Sequence, residues 1–135
     1  MSPRYMLDTN IVRRIVSNPS SAVLDRVARH APSQLCVSAI TYGEIIFGLK
    51  RRPEAVKLAA SNEKFFAEID ILPFTQDTSE IYGRLRVAMQ MSGKALGPLD
   101  MLIAAHGLSA DATLVSADRA FRHVPGLVVE DWTAA

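Results

Sequence analysis

Apolar positions along the chain follow two alternating rhythms. Short, largely apolar runs occur at Tyr5-Met6-Leu7, Gln34-Leu35-Cys36-Val37-Ser38, Ile69-Asp70-Ile71-Leu72, Thr113-Leu114-Val115-Ser116 and Leu127-Val128-Val129. Each is too brief for a helix and is bounded by polar or breaking residues, as buried strands are. Between them the spacing becomes helical: Ile11, Val12, Ile15 and Val16; then Val23, Leu24, Val27 and Ala28 within residues 21–30; then Ile45, Ile46 and Leu49 within residues 39–50. Leu58, Phe65 and Ile69 mark a further buried face, followed by Ile81, Leu85, Ala88 and Met89, and by Leu102, Ile103 and Ala105. Pro53 and Pro98 suit the first turns of two of these helices, and Asp77-Thr78-Ser79-Glu80 has the spacing of a capping box. Strands alternating with helices predict an α/β fold, a parallel sheet covered on both faces. No repeat, linker or low-complexity segment divides the pattern, so residues 1–135 read as a single domain.

Composition narrows the functions. Lys and Arg total 15 against 14 Asp and Glu, which gives no global basic field of the kind that holds duplex DNA, so any nucleic-acid contact is local. Cys36 is the single cysteine, inside an apolar run, so it forms no internal disulfide and reads as a buried thiol compatible with a reducing cytoplasm. The first residues lack a secretory apolar stretch, and no run approaches the ~20 residues of a membrane span. The expectation is a soluble, cytoplasmic protein.

Candidate chemistry lies in the acids. Asp8 follows the first strand, in Leu7-Asp8-Thr9-Asn10, and Asp118 follows the fourth, in Ser116-Ala117-Asp118. In an open parallel sheet the carboxyl ends of strands near the reversal of strand order form the ligand crevice. Each acid also has an ordinary explanation: Asp8, Asn10 and Asp118 are helix caps by type, and Asp100 in a first helical turn complements the helix dipole. Glu44, on one face with Thr41 and Gly48, is alone a solvated glutamate. Together, four carboxylates brought within a few ångströms would raise one another's pKa unless a hard cation such as Mg²⁺ or Mn²⁺ neutralised them. His30, His106, His123 and Cys36 have no zinc-ligand spacing, and no phosphate loop or nucleophile elbow is present.

These pieces resemble the PIN-domain ribonucleases of the VapC toxin type. The likeness spans nearly the whole chain: Leu7-Asp8-Thr9-Asn10; Ser38 to Glu44 with Gly48; Leu99-Asp100 to Ala105; Leu114 to Asp118; and Val124-Pro125-Gly126-Leu127 running into Glu130-Asp131-Trp132. The resemblance implies a three-layer α/β/α domain with a five-stranded parallel sheet ordered 3-2-1-4-5. It also implies Asp8, Glu44 and Asp100 as metal-binding catalytic acids, Asp118 as a fourth acting through water, and Thr9, Asn10 and Ser116 as polar support. The last motif varies within that family, so Asp118 is matched least closely. The implied reaction is Mg²⁺- or Mn²⁺-dependent hydrolysis of RNA to 5′-phosphate and 3′-hydroxyl ends, with Arg13, Arg14, Lys50, Arg51, Arg52 and Lys94 as phosphate contacts. The implied partners are a VapB-type antitoxin and a second copy in a homodimer, with DNA reached only through the antitoxin. Ile46, Phe47, Leu49, Val56, Ala60 and Phe66 offer a surface for the antitoxin. Two alternatives remain: an aspartyl-phosphate phosphatase, for which Asn10 stands where a general acid is usual, and a non-catalytic RNA- or protein-binding domain.

Overall fold

The computed structural model describes residues 4–18 and 22–133. Its elements run β1 (Tyr5–Leu7), α1 (Thr9–Ser17), α2 (Ala22–Val27), β2 (Leu35–Ser38), α3 (Ala39–Arg51), α4 (Val56–Phe66), β3 (Asp70–Leu72), α5 (Gln76–Ser92), α6 (Pro98–Ser109), β4 (Thr113–Val115) and β5 (Val129–Glu130), with short 3-10 turns at Pro32–Gln34 and Arg119–His123. All strand pairs are parallel and the order is β3-β2-β1-β4-β5, as the resemblance implied. Among the described residues, no helix is long and apolar enough to cross a membrane.

Alternation along the strands divides the core in two. Met6, Cys36 and Leu114 pack with Leu85 and Met89 of α5 and Met101 and Ile103 of α6. Leu7, Val37 and Val115 point the other way, onto Ile11, Val12 and Ile15 of α1, Ile45 of α3 and Trp132. Strands buried on both faces read as continuous apolar runs, because every side chain meets a helix layer. The Cys36 thiol is fully buried, and burial pushes its pKa up to about 11.

Several boundaries differ from the sequence pattern. Pro53 sits in a turn, and α4 begins at Val56, so the fixed φ of Pro53 shapes the approach to the helix and not its first turn. The face of α4 that packs inward is centred on Asn62, with Leu58 and Phe65 only half-buried and Ile69 beyond the helix. Thr75, not Asp77, caps α5: its hydroxyl accepts from the Thr78 N–H at 3.3 Å, two residues before the expected box. The second helix is shorter than 21–30, and Ser21 lies outside the described residues. Ile69 falls outside β3, which begins at Asp70, and the last strand moves on to Val129–Glu130. Gly93 ends α5, at φ 71°, a left-handed conformation that suits glycine there.

Candidate functional site

Parallel pairing of β1 with β4 places their carboxyl ends side by side: Leu7 is opposite Val115, and the Asp8 N–H continues the ladder to the Val115 carbonyl at 3.1 Å. Asp8 then caps α1, its Oδ1 accepting from the Ile11 N–H at 2.9 Å. Capping and site readings hold together, since the cap occupies one lone pair of a carboxylate that stays at the sheet edge. Ser116 follows β4 and joins the two strand-end acids: its hydroxyl hydrogen-bonds the Asp8 carboxylate and its Oγ accepts from the Asp118 N–H at 3.0 Å. Asp118 in turn caps the 3-10 turn after it, accepting from the Ala120 N–H at 2.9 Å.

Two helices bring the other acids. Glu44 comes from the second turn of α3, where the Thr9 hydroxyl donates to its Oε1 at 2.7 Å and the Thr41 hydroxyl stands 3.2 Å from that of Thr9. Thr9 thus links α1 to α3 and holds Glu44 toward β1. Asp100 enters on the first turn of α6, after Gly97 and Pro98. Asn10 faces outward, accepting from Arg13 Nη1 at 3.1 Å.

The charges are mutually felt. Asp8 is 5 % exposed, and desolvation raises its pKa against the hydrogen bonds from Ser116 and Ile11, with Asp118 and Glu44 adding to the rise. Asp100 is raised by burial first and then by Asp118, Asp8 and Glu44. None of the four carboxylates joins an ion pair among the described residues. An all-oxygen donor set carrying uncompensated negative charge at a half-buried edge is the chemistry of a Mg²⁺ or Mn²⁺ site. Among the described residues no three acid, histidine or cysteine side chains stand close enough to enclose an ion by themselves, contrary to full convergence of the four. Mg²⁺ usually keeps several of its waters when bound, so acids that do not close a cage by themselves can still hold it, some of them through water. The donors therefore fit the ion.

Arg13 and Arg14 line a crevice with Asp8, Asn10 and Asp118, while Arg51 and Arg52 line a neighbouring groove with Glu44. Among the described residues, Lys50 and Lys94 line neither. The histidines stand apart from the acids in role: His30 stacks on Trp132 at 4.9 Å, His123 is exposed, and His106 is buried.

His106 carries a function that spacing did not reveal. Its Nδ1 lies 2.6 Å from Ser38 Oγ, and the ring also bonds the Pro73 carbonyl, which can only accept. Nδ1 therefore receives the Ser38 proton, while Ser38 Oγ accepts from the Ile40 N–H at 3.0 Å and caps α3. Burial lowers the His106 pKa and keeps the ring neutral. The bond ties the helix bearing Glu44 to the helix bearing Asp100. The legible signal was Ser38 itself, a polar residue ending a strand as Asp8 does. His106→Leu is expected to cost about 1–3 kcal/mol, read by urea denaturation, because it leaves a buried hydroxyl and a carbonyl unpaired.

The sequence matches the family model described as PIN domain over residues 5–127. Curated relatives include the tRNA(fMet)-specific endonuclease VapC of Shigella flexneri, 30 % identical over 131 residues covering 96 % of this chain and 98 % of that protein. Ribonuclease VapC2 of Haemophilus influenzae (strain ATCC 51907 / DSM 11121 / KW20 / Rd) is 32 % identical over 130 residues, with 96 % and 98 % covered. Among solved structures, DNA-bound VapBC from Salmonella typhimurium superposes with a TM-score of 0.89 at 28 % identity, covering 97 % of this chain and 99 % of that one.

Proposed function

The chain belongs to the PIN-domain family, and from that premise we propose that it is a Mg²⁺- or Mn²⁺-dependent endoribonuclease toxin of the VapC type, held off by a VapB-type antitoxin. The observation that carries this reading is that Asp8 and Asp118, at the adjoining ends of β1 and β4, feel the charges of Glu44 from α3 and Asp100 from α6, with no ion pair to any of the four among the described residues. Asp8, Glu44 and Asp100 would hold the ion, with Asp118 acting through water. Bound there, the ion supplies a lowered pKa for water and charge neutralisation at the leaving oxygen. The chain's own groups do the rest. Thr9 holds Glu44 in place, and Ser116 holds Asp8 and Asp118 in fixed relation. Arg13 and Arg14, beside the acids, hold the phosphates that flank the bond. The products are 5′-phosphate and 3′-hydroxyl ends, with no covalent enzyme intermediate.

The curated relative that acts on tRNA(fMet) makes tRNA the first substrate to try. Sequencing RNA 5′ ends after brief induction, with Asp8→Asn as control, tests the proposal; an identical end profile for both proteins would reject it. A phosphatase is disfavoured because Asn10, bonded to Arg13, has no carboxyl proton to give.

For the antitoxin, we assign the exposed part of α3 and α4. Phe47 is 62 % and Val56 70 % exposed. Phe66 is removed from that surface: it packs edge-on against Tyr42 and Phe65 and joins the α1-side core. Phe47→Asp should weaken capture of the cognate antitoxin at least tenfold by surface plasmon resonance, as loss of an aromatic anchor does, with unchanged thermal unfolding. Phe66→Asp should lower stability by disturbing this packing, and so is a poor probe of the interface. Undiminished affinity of Phe47→Asp would exclude this surface.

A further inference from the structure

Two openings flank α1 and share Arg13 and Ser17. One is the crevice of Asp8 and Asp118. The other is a groove among α1, α3 and α4 that includes Glu44, has a volume of about 340 Å³ and is unused by the reaction as described. Its walls are Ile45, Leu49 and Leu58, and its basic groups are Arg13, Arg51 and Arg52. Three guanidinium groups face one carboxylate here, in a chain whose charges nearly cancel, 15 to 14. Among the described residues none of the three is held by a buried acid: Arg13 donates to Asn10, Arg51 lies over the Phe47 ring, and Arg52 meets Glu54 at 4.0 Å in an exposed pair. Such a pair leaves the guanidinium largely available. Asn62, 3 % exposed, also lines the groove. Its Nδ2 donates to the Leu58 carbonyl at 2.9 Å, which fixes the amide, and Oδ1 lacks a donor among the described residues.

We propose that this groove is a nucleotide subsite: it takes one unstacked nucleotide of the RNA beside the bond that is cut, with the base against Ile45, Leu49 and Leu58 and its phosphates on Arg13 and Arg52. The inference rests on the ribonuclease reading above. Continuity favours RNA as occupant, because Glu44 and Arg13 make the groove an extension of the site where the strand must lie. Charge agrees, since a polyanion suits an apolar slot rimmed by guanidinium groups. An N–H on the base edge would also relieve the unpartnered Asn62 amide. The consequence is a preference for unpaired positions, whose bases are free to leave the stack.

Gly48 gives the test. It lines the groove on α3, and a Cβ there meets nothing within 4 Å. Gly48→Leu therefore starts from an unobstructed Cβ and carries its branched side chain into the groove, and leucine is the better helix former. With a short single-stranded RNA, KM should rise about tenfold, the scale of one lost base contact, while kcat, calorimetric Mn²⁺ binding and thermal stability hold. An RNA abasic beside the cut should raise KM equally for the parent protein and add nothing further in Gly48→Leu, since both remove one contact. An unchanged KM in Gly48→Leu overturns the proposal; if that variant instead loses only the antitoxin, the groove belongs to a protein helix. Fluorescence anisotropy of the same RNA separates this from the function itself. RNA that is bound but never cut, with Gly48→Leu weakening the binding, rejects the ribonuclease and keeps the groove. RNA that is not bound, or is bound equally by Gly48→Leu, rejects the groove.

Discussion

Asp8→Asn abolishes RNA cleavage and leaves a metal-free protein with a higher unfolding temperature than its parent. Both effects come from one carboxylate. Asparagine caps a helix as well as aspartate does, so the bond from the Ile11 N–H survives the change. What disappears is a charge that is 5 % exposed and faces Asp118 and Glu44. Glu44→Gln and Asp100→Asn should lose cleavage similarly, by more than the roughly 10- to 100-fold typical of losing a metal ligand's supporting partner. Asp118→Asn should lose less. Near-parental turnover in Asp8→Asn, with matched circular dichroism, would remove that residue from the site.

The same charges set a pH dependence. Asp8 and Asp100 titrate above their ordinary range in the folded state, so the folded protein binds more protons than the unfolded chain between the two sets of pKa values. Their contribution is fully favourable below the unfolded values and is lost as pH rises through the raised folded ones. Asp131 acts in the opposite direction, because its carboxylate accepts from the Thr133 side chain and backbone and its pKa is lowered. The metal-free protein should therefore gain stability on mild acidification from neutrality, and the double variant Asp8→Asn/Asp100→Asn should lose that gain. Chemical denaturation across pH checks the sign.

A divalent cation should reverse the penalty outright. Mn²⁺ or Mg²⁺ at about a hundred times its Kd would stabilise the native state by about 2.7 kcal/mol, by mass action alone. The upward shift in Tm should be large in the parent and small in Asp8→Asn, and EDTA should stop cleavage. A parent protein whose unfolding ignores millimolar Mn²⁺, and whose cleavage survives chelation, has no such centre.

How much of this was legible in the sequence depended on how local each signal was. The strand runs could be read because burial on both faces makes Met6-Leu7, Cys36-Val37 and Leu114-Val115 apolar without interruption. Helix starts were less legible. Pro53 and Asp77 carry strong local preferences, but packing placed the starts at Val56 and Gln76. Asp8 and Asp118 could be placed because each ends a strand. The His106 link to Ser38 could not, since its partners lie 68 positions apart and neither residue type demands the other. Asn62 was hidden for a related reason: its place on the inward face of α4 depends on neighbouring helices, while its own polarity argues for the surface.

The strand order also governs when activity can first exist. Tyr5 precedes nearly every other element of the fold, yet in the sheet it pairs with Thr113 of β4. Loop-closure entropy has to be met before so distant a pairing returns anything, so the central pair forms late and slowly. On a ribosome, Asp8 emerges well before Asp100 and Asp118 and waits as an ordinary side chain until they have followed it out. A chain interrupted before β4 therefore lacks the fourth acid and the strand that positions the first. The acidic edge can assemble only once β4 and Asp118 have joined β1, so its formation is tied to the most distant pairing in the sheet.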